Sequence, residues 1–265
     1  MIITSAELSE GKLSAAHLAE SVMHIRDAGY VVLEGALNSD LVKALRGEYM
    51  ALFEELHSSG NTDRLQRSHS GNGHYQIQPP LRGIFKSTEL VANPLAMHCM
   101  REILGNDLRI LYYNSNLARP GSDAQRIHRD NAHLFDGEMS VPTPPFSLVV
   151  NVLLSDFTSE TGSTEVWPGS HLVMDSHWAE ESEFPVEARA EALSSRRLNA
   201  PAGSLVIRDV RMWHRGMPNN SSQTRSMLSL VYKRNWLKWR YHESVTAPAT
   251  TLEAWPAAVQ ELFGW

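Results

Sequence analysis

Cysteine is nearly missing from this 265-residue sequence. Cys99 is the only one, which excludes an internal disulfide framework and a thiolate-rich metal cluster. Long apolar runs are missing as well. No stretch approaches about 18 uninterrupted apolar residues. The opening MIITSAELSEGKLSAAHL carries early acids and no apolar run of signal-peptide length, so the expectation is a soluble, cytoplasmic protein with no membrane partner. An excess of positive charge is the third absence. Twenty-four Lys and Arg stand against 30 Asp and Glu, a net charge of -6. No global basic field is there to hold a phosphate backbone, and nucleic acid is not an expected partner.

The length, with 42% hydrophobic and 20% charged residues, allows one sizeable core, and a single domain over 1–265 is expected. Its parts are a helical N-terminal portion of about 1–105, a β core of about 106–235 and a C-terminal extension, 236–265. Residues 14–28, SAAHLAESVMHIRDA, have a Ser start signal, apolar residues at helical spacing and a following Gly29, which predicts a helix; YVVLEG then reads as a strand. Further helices are predicted over Asn38–His57 and Asn93–Leu104, the latter ending at Gly105 and carrying Cys99 as a buried, inert thiol.

From residue 107 onward short apolar or alternating runs (LRILYYNSNLA, FSLVVNVLL, STEVW, GSLVIRDVRMW, RSMLSLVY) are separated by Pro, Gly, Asn and Ser clusters. That rhythm predicts an α+β protein with a mainly β core, an antiparallel barrel or jelly roll behind a helical layer. Residues 171–200 interrupt it with an acidic, Ala-rich insertion, read as a surface helix or a lid over a site.

Within QRIHRDNAHLF, His128 and Asp130 sit two apart with Arg129 between them. In a strand, such a pair projects from one face, so both side chains can meet one ion while Arg129 points away. A third ligand is offered by His214 in DVRMWHRGMPNNSSQTRSMLSLVY. If the turn there is centred between Asn219 and Asn220, His214 and Arg225 become cross-strand neighbours in a hairpin. Two His and one carboxylate make a facial triad with open positions on iron(II); zinc is the competing metal. Arg225 discriminates, because a dicarboxylate co-substrate that chelates iron at one end needs a cation for the other.

These segments in order resemble the phytanoyl-CoA dioxygenase family of iron(II)/2-oxoglutarate-dependent oxygenases. The likeness runs from about residue 25 to 235, through GYVVLEGAL, LARPGSDAQRIHRD, LLSDFTSETGSTEVWPGSH and AGSLVIRDVRMWHRGMPNNSSQTRSMLSLVY. It implies a double-stranded β-helix, cupin-like core. His128, Asp130 and His214 would bind Fe(II) and serve catalysis, Arg225 would hold the distal carboxylate of 2-oxoglutarate, and Gln125 is a weaker candidate for a co-substrate contact. Dioxygen is the second co-substrate. Where many relatives have a small hydroxyl residue two positions after the distal histidine, this chain has Gly216. Asp130 is present where halogenating relatives carry a small residue, so halogenation is not expected.

Substrate contacts are sought in SHSGNGHYQIQPPLRGIF, residues 68–85, where His74, Gln76 and Gln78 alternate and one strand face would present all three at the mouth. In YKRNWLKWRYHE, residues 232–243, cations interleave with Trp236 and Trp239, a pattern that suits a half-buried surface or a grip on an acidic or flat substrate. The expected function is oxidation, most simply hydroxylation, of a small organic molecule in biosynthesis. The alternatives are a metal-dependent cupin-type isomerase or hydrolase, and a non-catalytic binding module on the same barrel.

Overall fold

The computed structural model describes residues 1–60, 65–67, 71–135, 141–174, 186–238 and 245–264. Helix α1 (Ser5–Glu10) and α2 (Ala15–Ala28) lead into strand β1 (Tyr30–Leu33), followed by α3 (Ser39–Ser58), β2 (Leu65–Arg67), β3 (His74–Ile77), α4 (Thr88–Val91) and α5 (Pro94–Leu104). Local chemistry sets these limits. The Ser14 side chain accepts from His17 N, and Gly29 takes the left-handed φ of +88° that stops α2. Asn38 and Asn93 cap α3 and α5 in the same way, and Pro94 occupies the first turn of α5, where its missing N–H costs nothing.

The remaining strands are β4 (Arg109–Ala118), β5 (Ser147–Leu153), β6 (Glu165–Val166), β7 (Arg196–Arg197), β8 (Leu205–Asp209), β9 (His214–Arg215) and β10 (Arg225–Lys233). Helix α6 (Val186–Glu191) lies before β7, and α7 (Ala249–Ala254) and α8 (Ala257–Gln260) follow β10. The seven-stranded sheet runs β1-β8-β5-β10-β4-β3-β2, and the three-stranded one runs β7-β6-β9. Every pairing within them is antiparallel. The fold is thus mixed α and β with a sheet-rich antiparallel core. The N-terminal portion, read as helical with a strand at YVVLEG, supplies β1, β2 and β3 to the large sheet.

The two faces of that sheet have different chemistry because side chains alternate along a strand. Leu228, Leu230 and Tyr232 of β10, Leu148, Val150 and Val152 of β5, and Leu205 and Ile207 of β8 share one apolar core with Leu45, Tyr49 and Phe53 of α3 and Met100 and Ile103 of α5. Each fully buried Leu or Ile of this kind contributes roughly 1.5–3 kcal/mol. The intervening residues, among them Asn151, Arg208, Arg225 and Ser229, face the other way and line a polar cavity. Cys99 lies in the apolar core, where burial pushes its thiol up to about 12. The C-terminal stretch joins the same core through Trp255, Val259, Leu262 and Phe263.

One expected pairing is corrected. His214 and Arg225 do not face each other in a hairpin: β9 pairs with β6, while β10 pairs with β4 and β5. Within the connection Asn219, Ser221 and Gln223 bond one another, and the segment is also tied to others. Asn219 O accepts from Gly121 N, its side-chain nitrogen donates to Ala118 O and Gln223 O, and Asn220 N donates to Glu160 O. A connection anchored in this way to neighbouring segments does not pair its flanking strands, which lie in different sheets.

Candidate metal centre

Residues 125–130 run as an extended arm beside β9. Gln125 N donates to Gly216 O, and His128 and His214 exchange both backbone hydrogen bonds at 2.9 and 2.8 Å. This isolated antiparallel bridge places the two imidazoles side by side, with ring centroids 4.2 Å apart. Asp130 N donates to Val210 O, which fixes the arm's end and brings Asp130 Oδ1 to 3.5 Å from His214 Nε2. One ligand atom from each of His128, Asp130 and His214 lies within 4.8 Å of the others. Arg129, between the ligand candidates, meets His133 instead.

The donor set fits a divalent cation. His128 Nδ1 bonds the Arg126 carbonyl at 2.9 Å, and His214 Nδ1 bonds the Met212 carbonyl at 3.0 Å. A carbonyl oxygen only accepts, so His128 Nδ1 carries the proton and its Nε2 keeps a lone pair for a metal; His214 Nδ1 has both the Met212 carbonyl and, at 3.2 Å, the Arg208 Nη1 donor beside it, while its Nε2 faces Asp130. Asp130 is anionic: burial pushes its pKa up, but Arg208, His214 and His128 together hold it well below the usual carboxylate range. Its Oδ2 accepts from Arg208 Nη2 at 2.7 Å, which leaves Oδ1 for an ion. Two imidazoles and one carboxylate on one side of a centre leave the other side open.

Arg225 opens β10 opposite Ala118. Its Nη1 donates to Gly162 O at 2.8 Å and Nη2 to Asn116 Oδ1 at 3.0 Å, and the guanidinium lies 4.8 Å from the centroid of the Phe157 ring. The side chain is 1% exposed, and no carboxylate pairs with it among the described residues. Burial, with the nearby charge of Arg197, pulls its pKa down to about 10. An unpaired buried cation is costly, and this one lines the same cavity as His128, Asp130 and His214. The sequence-level hairpin was wrong, yet the two sheets bring His214 and Arg225 to one cavity by another route.

The other candidates divide. Gln125 lines the cavity, with Oε1 accepting from Gly216 N at 2.7 Å. Gln76 lines it too. Gln78 is exposed beyond the end of β3, so it does not share their surface. His74 is buried behind the wall rather than at the mouth. Lys233 donates to Leu237 O, and Arg234 clamps the carbonyls of Pro145, Ile103 and Leu104, so these cations serve the fold. Trp236 is exposed; Trp239 and residues 240–243 lie outside the described residues. So do 68–70 and the centre of the proposed lid, 175–185. Arg208 and Asn116 were not anticipated. A cation inside LVIRDV is itself a signal, because a buried charge in a strand demands a partner.

Comparisons with known proteins give the chain a family. The family model for phytanoyl-CoA dioxygenase matches residues 25–227. A protein of Aspergillus fumigatus named dioxygenase af480 is 26% identical over 178 residues, 66% of this chain and 53% of that protein. The iron/alpha-ketoglutarate-dependent dioxygenase penM of Penicillium thymicola is 27% identical over 148 residues, 55% of this chain and 44% of its own length. The chain thus spans about half the length of these two relatives. Among solved structures, the epimerase SnoN in complex with Fe3+, alpha ketoglutarate and nogalamycin RO superposes with a TM-score of 0.65 at 22% identity, over 83% of this chain and 84% of that one; this likeness is one of fold. No helix among the described residues is long and apolar enough to cross a membrane.

Proposed function

We infer that this chain, which belongs to the phytanoyl-CoA dioxygenase family of iron(II)/2-oxoglutarate-dependent oxygenases, hydroxylates a small organic molecule. The observation that carries the reading is Arg225, a buried guanidinium without a carboxylate partner among the described residues, on the cavity that also holds His128, Asp130 and His214. A dianion with a chelating 2-oxo acid at one end and a carboxylate at the other satisfies both needs. His128, Asp130 and His214 would hold iron(II). Bound there, the metal supplies the redox chemistry by which 2-oxoglutarate and dioxygen become succinate and carbon dioxide while one oxygen atom enters a C–H bond of the substrate.

The chain's own residues supply geometry. The Nδ1 bonds to backbone carbonyls fix both imidazole planes, and Arg208 restrains Asp130. Arg225 anchors the far end of the co-substrate, with its fork aimed by Gly162 and Asn116. Gln125, tied to Gly216 N, forms the wall between them. We read the β core as a double-stranded β-helix. Strands β8-β5-β10-β4 would form one half, and β7-β6-β9 with the 125–128 arm the other. The His128–His214 bridge and the apolar packing of Leu153 and Val206 against Val166 support that assignment.

The test is spectroscopic. Anaerobic protein given iron(II) and 2-oxoglutarate should develop the weak visible metal-to-ligand band. Asp130→Ala should lose it, and Arg225→Ala should weaken 2-oxoglutarate binding roughly 30-fold, the size of a lost charge-assisted hydrogen bond. Uptake of zinc with no band from iron and 2-oxoglutarate would refute the oxygenase reading in favour of a hydrolase or isomerase. Product analysis of succinate-coupled turnover tests hydroxylation against other oxidations.

A further inference from the structure

A second, smaller cavity adjoins the metal centre, with Leu153, Phe157, Leu198 and Val206 as its apolar wall. Asn151, Arg208, His214 and Met227 border both this space and the larger cavity, so the two adjoin along these side chains. His128, Asp130 and Arg225 line only the larger one. A co-substrate held between the triad and Arg225 therefore lies in the larger cavity and leaves the smaller one free.

The chemistry of its wall keeps this space dry. Leu153, Phe157, Leu198 and Val206 are at most 7% exposed and belong to the apolar cluster between the two sheets. Polar groups at its edge already have partners: Asn151 Nδ2 donates to Ser229 Oγ at 2.8 Å, and Arg208 Nη2 donates to Asp130 Oδ2 at 2.7 Å. A water molecule there would give up hydrogen bonds it makes in bulk and find few in return. A small apolar molecule gives up nothing, and a volume of about 20 Å³ admits one. We propose that this annexe is a holding site for dioxygen, concentrated by the four apolar side chains beside His214. The proposal rests on the oxygenase reading, which supplies the need for the gas.

Xenon is the probe, because it enters dry apolar cavities and takes no part in the chemistry. Metal-free protein under xenon pressure should bind it among Leu153, Phe157, Leu198 and Val206, as read by crystallography and xenon NMR. Saturating iron(II) and 2-oxoglutarate, added without oxygen, should leave it in place. Val206→Leu fills the space from β8 and Leu198→Phe from the residue after β7, so either variant serves if the other does not fold. Both should lose the xenon and keep the anaerobic visible band with unchanged affinity for 2-oxoglutarate. On rapid mixing with dilute dioxygen, that band should decay about fourfold more slowly in the variants, the worth of burying one methylene-sized apolar group. Saturating dioxygen should restore the rate. The proposal is overturned if no xenon binds there, if 2-oxoglutarate expels it and so occupies the space itself, or if a folded, xenon-free variant decays at the unsubstituted rate in dilute dioxygen. Failure of the unsubstituted protein to bind 2-oxoglutarate overturns the parent reading instead, and xenon binding by the metal-free protein is read apart from it.

Discussion

Arg208 carries a positive charge into the apolar run LVIRDV of β8, where it is 4% exposed. It is tolerated there because Asp130 Oδ2 lies 2.7 Å from its Nη2. Arg208 is the nearest permanent cation to this carboxylate, and so its balancing charge in the metal-free protein. Arg208→Met should destabilise the metal-free protein by about 3 kcal/mol, as expected for a buried carboxylate left without its partner. The loss should shrink when iron(II) is bound, because the ion takes over part of that neutralisation. Denaturant melts with chelator and with iron(II) measure both; an equal loss in the two states would show that Arg208 supports the fold and not the carboxylate. The ligand candidates were legible in the sequence because metal chemistry admits few residue types. Arg208 was legible only as a demand for an acid, since the acid that meets it lies 78 positions away.

At the scale of elements, α2, α3 and α5 follow their sequence patterns closely because Ser14, Asn38 and Asn93 act on backbone groups two or three residues away. The connection between β9 and β10 does not follow its pattern, because its fate is decided by residues far off in the chain. Gly162 is one of these. It has φ of +78°, and a Cβ there would press on the Met217 carbonyl oxygen and lie 2.8 Å from Pro218 O, so the turn before β6 and the turn after β9 fit together only with glycine at that point. The same Gly162 offers its carbonyl to Arg225 Nη1. Gly162→Ala should therefore cost about 2 kcal/mol or more in stability and weaken 2-oxoglutarate binding beyond any effect on iron(II) uptake. Calorimetry and the visible band read the two effects separately. A destabilised protein with unchanged 2-oxoglutarate affinity would show that the Gly162 carbonyl does not aim the guanidinium.

Across the whole molecule, one large sheet serves two purposes, with an apolar face that binds the helices and a polar face that lines the cavity. Periodicity reveals that a strand alternates, but not which strands lie side by side, so the sequence predicted a barrel behind a helical layer and misplaced a pairing inside it. The C-terminal stretch shows the same limit: its short apolar clusters carry no clear period, yet Trp255, Val259, Leu262 and Phe263 complete the helical core. Because the site draws on the 125–130 arm, on β9 of the small sheet and on β10 of the large one, occupying it ties the two sheets together. Ligands should then stabilise the fold as a unit. With iron(II) bound, 2-oxoglutarate at 100 times its dissociation constant adds about 2.7 kcal/mol. Spread over an unfolding entropy of roughly 2.1 cal/mol/K per residue, that raises the melting temperature of this 265-residue chain by about 5 °C. Arg225→Leu should remove the increment from 2-oxoglutarate and keep the one from iron(II). An undiminished shift in that variant would mean that the acid binds away from Arg225, and the two-ended anchoring between the triad and β10 would have to be given up.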